Sequence, residues 1–101
     1  MLNQTVLVGR ISNDPVIEEM EDRKYCRITL AVPRSYKNEN GEYDTDFIPV
    51  TLGNGIAQNT AEYCKKGDLV GIKGRIQETE GKIELIGERV TFLSSKKVDE
   101  E

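Results

Sequence analysis

The sequence has no histidine and no tryptophan, and among its 101 residues are only two cysteines, three prolines, four tyrosines and two phenylalanines. Without histidine, the commonest general base and the commonest metal ligand are both missing. Cys26 and Cys64 stand far apart and form no Cys-x-x-Cys pair. That argues against a disulfide framework or a zinc site and for a reducing cytoplasm. No Gly-x-Ser-x-Gly elbow is present, so nucleophilic catalysis would need a Ser–Lys or Cys–carboxylate pairing that nothing in the sequence singles out. No apolar run approaches the roughly 18 residues of a membrane span, and the first ten residues read as a strand, not as a secretory leader. The expectation is therefore no enzyme, no cofactor, no metal and no membrane.

What is present is charge, at 32% of residues, laid over a strongly periodic apolar pattern at 37%. The net charge is -4, which speaks against a phosphate-binding protein until its distribution is considered. Asp14, Glu18, Glu19, Glu21 and Asp22 make the first segment acidic. Arg23, Lys24, Arg27, Arg34 and Lys37 make the next one basic, and Glu39, Glu42, Asp44 and Asp46 reverse the sign again. Positive charge is expected along strands and negative charge in turns, giving a basic face on an acidic protein.

Thr5 to Ile11 is rich in β-branched residues and stops at Asn13-Asp14-Pro15, so it reads as a first strand. Tyr25 to Val32 alternates cleanly, with Cys26, Ile28, Leu30 and Val32 on one face and Tyr25, Arg27, Thr29 and Ala31 on the other. Pro33 closes or bends that second strand, and Asn38 to Glu42 has the composition of a hairpin turn. A third strand, Phe47 to Leu52, buries Ile48, Val50 and Leu52, while Pro49 on its outer face suggests an edge or bulge. The period then changes: Ile56, Thr60 and Cys64 stack with Ala57 and Ala61 beside them, a short helix capped by Asn54 and ended at Lys66-Gly67. Leu69 to Ile76 is a fourth strand with Val70, Ile72 and Ile76 inward. Glu80-Gly81 turns into a fifth, Ile83 to Leu93, where Gly87 marks a bulge. This order of all-β strands with one short helix is that of the OB-fold, a five-stranded Greek-key barrel, with a split β-α-β sandwich as competitor. Residues 1–93 form the domain and residues 94–101 a short polar tail.

The outer face carries the functional signal. By phase, Arg27, Phe47, Thr51, Lys73 and Arg75 point outward with Tyr25 and Thr29, and Arg34, Tyr36 and Lys37 extend the second strand toward the hairpin. Rings interleaved with cations suit unpaired nucleic acid, because bases stack on rings at about 1–3 kcal/mol each while cations follow the phosphates. Each residue also has a bland reading: Phe47 in a subunit contact, Tyr25 covering a barrel end. Gly53-Asn54-Gly55 ahead of the helix could hold an anion, but it lacks a Gly-Lys-[Ser/Thr] ending and reads more simply as strand exit and cap. Cys26, in phase with the core face, reads as a small buried hydrophobe.

Met1-Leu2-Asn3, Leu7-Val8-Gly9-Arg10 and Asp14-Pro15 resemble the opening of the bacterial single-stranded DNA-binding protein family. Leu30-Ala31-Val32-Pro33-Arg34, Gly41-Glu42 and Asp46-Phe47-Ile48 resemble its second and third strands. Ala57-Gln58-Asn59, Tyr63-Cys64-Lys65-Lys66-Gly67-Asp68 and Gly71-Ile72-Lys73-Gly74-Arg75-Ile76 resemble its helix, the following turn and its fourth strand. The resemblance implies an OB fold, sequence-tolerant binding of single-stranded DNA in replication, recombination or repair, and a homo-oligomer, a tetramer before a dimer, whose dimers pair through the first strand. Replication or recombination proteins are implied as further partners. Tyr36 and Phe47 match stacking positions, and Arg34, Lys37, Lys65, Lys66, Lys73 and Arg75 fall in or near the basic track; Arg10, Arg27 and Thr51 are further expected nucleic-acid-binding residues.

The departures from the family pattern are specific. Gly53 stands where a further stacking aromatic is expected, and Pro49 where a basic residue is common. The last hairpin shrinks to Glu78-Thr79-Glu80-Gly81-Lys82, and Val98-Asp99-Glu100-Glu101 is acidic without the apolar tip that recruits partner enzymes. These departures point to a reduced or specialised member: phage-borne or mobile, drawn from a compact bacterial set, or a shortened chain. They also keep open a protein-interaction module with weak or lost DNA binding and, further off, an RNA chaperone of cold-shock type.

Overall fold

A computed structural model describes residues 1–95. Its elements are β1 (Thr5–Ile11), β2 (Ile17–Met20), β3 (Arg23–Lys37), β4 (Tyr43–Gly53), α1 (Asn54–Tyr63), β5 (Leu69–Thr79) and β6 (Lys82–Ser94). The sheet runs β1-β5-β6-β4-β3-β2, and a β1–β3 pairing closes five of these strands into a barrel. The predicted strands are therefore β1, β3, β4, β5 and β6, and the OB arrangement is the observed one. No helix among the described residues is long and apolar enough to cross a membrane.

The core is built from the alternation seen in the sequence. Cys26, Ile28 and Leu30 on β3 and Val50 and Leu52 on β4 meet Ile11, Val70 and Ile72 from the other strands. Ala57 and Cys64 of the helix segment cover one end of the barrel. Both cysteines are free thiols, and burial pushes their pKa values up, as expected of small packed hydrophobes.

Two short seams close the barrel, and each depends on glycine. At the β1–β3 seam, Arg10 faces Ala31 and Ile11 faces Leu30. A Cβ on Gly9 would lie 2.6 Å from the Ala31 carbonyl oxygen, so only glycine lets β1 cross so closely. At the β4–β6 seam, Leu52 pairs with Gly87 in parallel register, and a Cβ on Gly87 would lie 2.5 Å from Leu52 Cδ2. The β5–β6 register shifts at this point: Lys73 faces Arg89, yet Gly74 faces Gly87. Glu88 is the extra residue, which is the bulge expected at Gly87.

Several expectations are corrected. The acidic segment before β3 is not all turn: Ile17–Met20 forms β2, paired with Arg23–Cys26 of β3. Its Ile-Glu-Glu-Met sequence lacks apolar alternation, and its turn residues Glu21 and Asp22 adopt positive φ without a glycine or asparagine to announce it. Asn54 is not the helix cap, because extended Gly53 leads straight into the helix and holds the N-cap position without a side-chain bond. The helix ends at Tyr63 instead of Lys66-Gly67, and Gly67 makes the following turn at φ 98. Ile76, expected inward, is 42% exposed. At that point β5 and β6 have run past the last β4–β6 pair, Thr51 with Ile86, so no second layer covers the side chain. Ser94 belongs to β6 instead of the tail, and the acidic end, 98–101, lies outside the described residues.

Candidate nucleic-acid interface

The β3–β4 register orders the outer face into cross-strand rows: Arg27 opposite Thr51, Thr29 opposite Pro49, and Ala31 opposite Phe47. Inner neighbours Ile28, Leu30, Val50 and Leu52 are fixed in the core, so alternation forces these side chains out. Phe47 is 63% exposed, and its strand partner Ala31 is too small to cover it. Two rows continue onto other strands. Arg10 faces Ala31 across the β1–β3 seam, which sets it two strands from Phe47. Thr51 faces Ile86, which faces Arg75.

Around this face lie two open grooves. One is lined by Arg27, Pro49, Thr51, Thr79, Lys82, Ile83, Glu84 and Leu85, between the sheet and the β5–β6 hairpin. The other runs along Arg23, Lys24, Tyr25, Gly53, Ile86 and Arg75 at the start of α1. Nothing lies within 4 Å of a Cβ placed on Gly53, so the missing aromatic leaves open space. Arg23, Lys24, Lys82 and Ile83 were not anticipated as site residues. Arg23 and Lys24 enter because β2 folds back beside them, and Lys82 and Ile83 because the last hairpin, although short, reaches the face.

The charges do not divide as the sequence suggested. Carboxylates sit on strands beside the polar groups of the face, each with a local partner. Glu84 accepts from the hydroxyls of Thr51 (2.9 Å) and Thr79 (3.0 Å). Arg75 pairs with Glu88 at 2.8 Å and donates to Gln77. Tyr25 hydrogen-bonds to Glu18, which pushes its phenol pKa up, and the Arg27 guanidinium lies 5.5 Å above the Tyr25 ring.

The distal end of the hairpin carries Arg34, Tyr36 and Lys37. Tyr36 is 63% exposed, and Lys37 Nζ lies 5.9 Å from the Tyr43 ring centroid. Arg34 is engaged with Asp46 through Nε (3.1 and 3.2 Å) and Nη2 (2.9 Å), with Asp44 at 3.8 Å. Of the remaining expected residues, Arg10 donates to the Gly67 carbonyl at 3.0 Å. Lys73 is exposed on β5, opposite Val6 and two strands from Phe47 by the shorter route. Among the described residues no cluster of three His, Cys, Asp or Glu could hold a metal ion.

The sequence profile of the Single-strand binding protein family matches residues 2–93. The chain belongs to this family. Single-stranded DNA-binding protein 1 of Clostridium acetobutylicum is 41% identical over 107 residues, covering 95% of this chain and 97% of that protein. Single-stranded DNA-binding protein B of Bacillus subtilis is 47% identical over 78 residues, covering 76% of this chain and 69% of that protein. Single-stranded DNA-binding protein 1 of Staphylococcus aureus is 34% identical, covering 99% of this chain and 70% of that one. The matched residues include the β3–β4 face and the β5–β6 hairpin.

Proposed function

We propose that this family member binds single-stranded DNA without sequence preference on the outer face of β3 and β4, in replication, recombination or repair. The observation that carries the reading is Phe47: a large ring 63% exposed on a rigid strand, in a row with Arg10 and one row from Pro49 and Thr29. A buried ring would serve the core; an exposed, strand-mounted one offers a flat surface to an unpaired base. Tyr36 supplies a second ring, Thr51 a hydroxyl, and Arg10, Arg27, Lys37, Lys73 and Arg75 a track for phosphates. The family is a non-enzymatic, DNA-binding one, and no catalytic residue is assigned.

The domain also offers an apolar surface to a second copy. Val6 and Val8 on the outer face of β1 are 66% and 51% exposed, and most of that strand pairs on one side only, with β5. A homo-oligomer assembled through β1, a tetramer or a dimer, would cover them. The protein-interaction reading draws on the carboxylates Glu18, Glu84 and Glu88 on the same face, which oppose phosphates. Fluorescence anisotropy of labelled oligo-dT at two salt concentrations separates the two. With about 3–5 phosphates neutralised per protomer, log affinity should fall against log salt with a slope of about -2 to -3.5. Absence of binding at low salt refutes DNA binding, and binding indifferent to salt refutes the phosphate track.

A further inference from the structure

The ion pair at the far end of the β3–β4 hairpin differs from the Arg75–Glu88 pair in holding both oxygens of its carboxylate and in having a second carboxylate beside it. Between the pairs Pro33–Thr45 and Lys37–Tyr43, β3 has three residues where β4 has one, so the ladder is interrupted. Pro33 has no N–H to offer at this point. The guanidinium of Arg34, the first residue of the interruption, reaches back to the regular ladder, holding both Asp46 oxygens and standing 3.8 Å from Asp44. Asp46 immediately precedes Phe47, and Arg34 lies two residues before Tyr36. One cation between two carboxylates leaves the cluster at -1, a poor landing place for a phosphate. Their hydrogen bond is the chief cause that raises the pKa of Arg34 and depresses that of Asp46, so both stay charged at neutral pH.

We infer that Arg34 and Asp46 are positioning residues: their bidentate clip ties the first residue of the broken segment to the regular ladder beside Phe47 and so fixes where the Tyr36 ring stands relative to the Phe47 ring, and Arg34 is not a phosphate contact. Planar two-point recognition of a carboxylate is what arginine supplies and lysine does not. The inference rests on the single-stranded DNA reading and adds to it which groups orient the rings.

The two roles give opposite signs for one substitution. If Arg34 met phosphate, Asp46→Asn would release it and tighten oligo-dT binding. If the pair is a clip, Asp46→Asn weakens binding about three- to tenfold, part of one stacking contact, with the salt slope unchanged. Arg34→Lys, which keeps the charge but loses the fork, should weaken binding by a similar factor, again with no change of slope. The exchange Arg34→Asp with Asp46→Arg should recover most of the loss. Circular-dichroism melts accompany each variant, and the exchange variant keeps the test sharp if a single variant folds poorly. Tighter binding by Asp46→Asn, full affinity in Arg34→Lys, or a well-folded exchange variant no better than the single ones overturns the clip. No binding of oligo-dT by the unaltered chain at low salt overturns the DNA reading itself, a separate result.

Discussion

The β3–β4 hairpin is two structures on one pair of strands. From Tyr25 to Pro33 its register is unbroken, and its inner face packs Cys26, Ile28, Leu30, Val50 and Leu52 into the barrel. Beyond Pro33 the inner face has no core to meet; the arm depends on Arg34–Asp46, on Lys37 over Tyr43 and on a polar turn. In that turn Asn38 Oδ1 accepts from the backbone N–H groups of Asn40 (2.8 Å) and Glu42 (3.0 Å). Non-directional burial holds the lower half, and directional bonds between exposed groups hold the upper. Substitution of the inner face of the lower half should therefore change folding, whereas substitution of its outer face or of the upper half should change only the contact with ligand.

The largest expected effect breaks the lower half. Leu30→Ala should destabilise the domain by about 2–5 kcal/mol, read by urea denaturation, because Leu30 is fully buried. Gly87→Ala should cost about 1–3 kcal/mol through the forced approach to Leu52 at the seam; a variant as stable as the native chain would mean the β4–β6 seam is looser than described. Phe47→Ala should lose about 1–3 kcal/mol of oligo-dT affinity while its melting temperature stays put. If the melting temperature collapses instead, Phe47 serves the core and not the outer face. Arg27→Ala should leave folding intact and flatten the salt slope by about 0.7, the signature of one phosphate contact.

The smallest effect concerns pH. Arg34 holds the Asp46 carboxyl below its ordinary range, so the pair's contribution is complete at neutral pH and is lost only as pH falls through that depressed value. The ratio of oligo-dT affinities between the native chain and Asp46→Asn should stay nearly constant from about pH 8 down to about pH 4, where an ordinary aspartate with a pKa of about 3.9 would already be close to half-protonated. A ratio that shrinks within that window would show that Asp46 titrates normally and the ion pair is loose.

Much of the lower half was legible in the sequence because burial writes a period. Cys26, Ile28 and Leu30 announce the β3 inner face by alternation alone, and the same arithmetic places Arg27, Phe47 and Thr51 outside. Polar structure leaves no such trace. β2 leaves no mark in the sequence because Glu18 and Glu19 are strand residues by pairing with β3, not by propensity. The carboxylates read as turn residues because a sequence shows charge but not its cross-strand partner. Ile76 kept its phase yet lost its cover, since how far each strand extends past its neighbour is not a local property.

The order of hydrophobic periods determined the barrel, its single helix, its inner face and the outward direction of the candidate binding residues, for these follow from the two-residue repeat of a strand and from the exclusion of apolar side chains from water. Which outward residues share a row, which cations already hold a carboxylate, and where the ladder breaks beside Tyr36 and Phe47 were decided only by tertiary structure. Those relations join strands distant in the chain, and their energies depend on register and distance, which no single segment encodes.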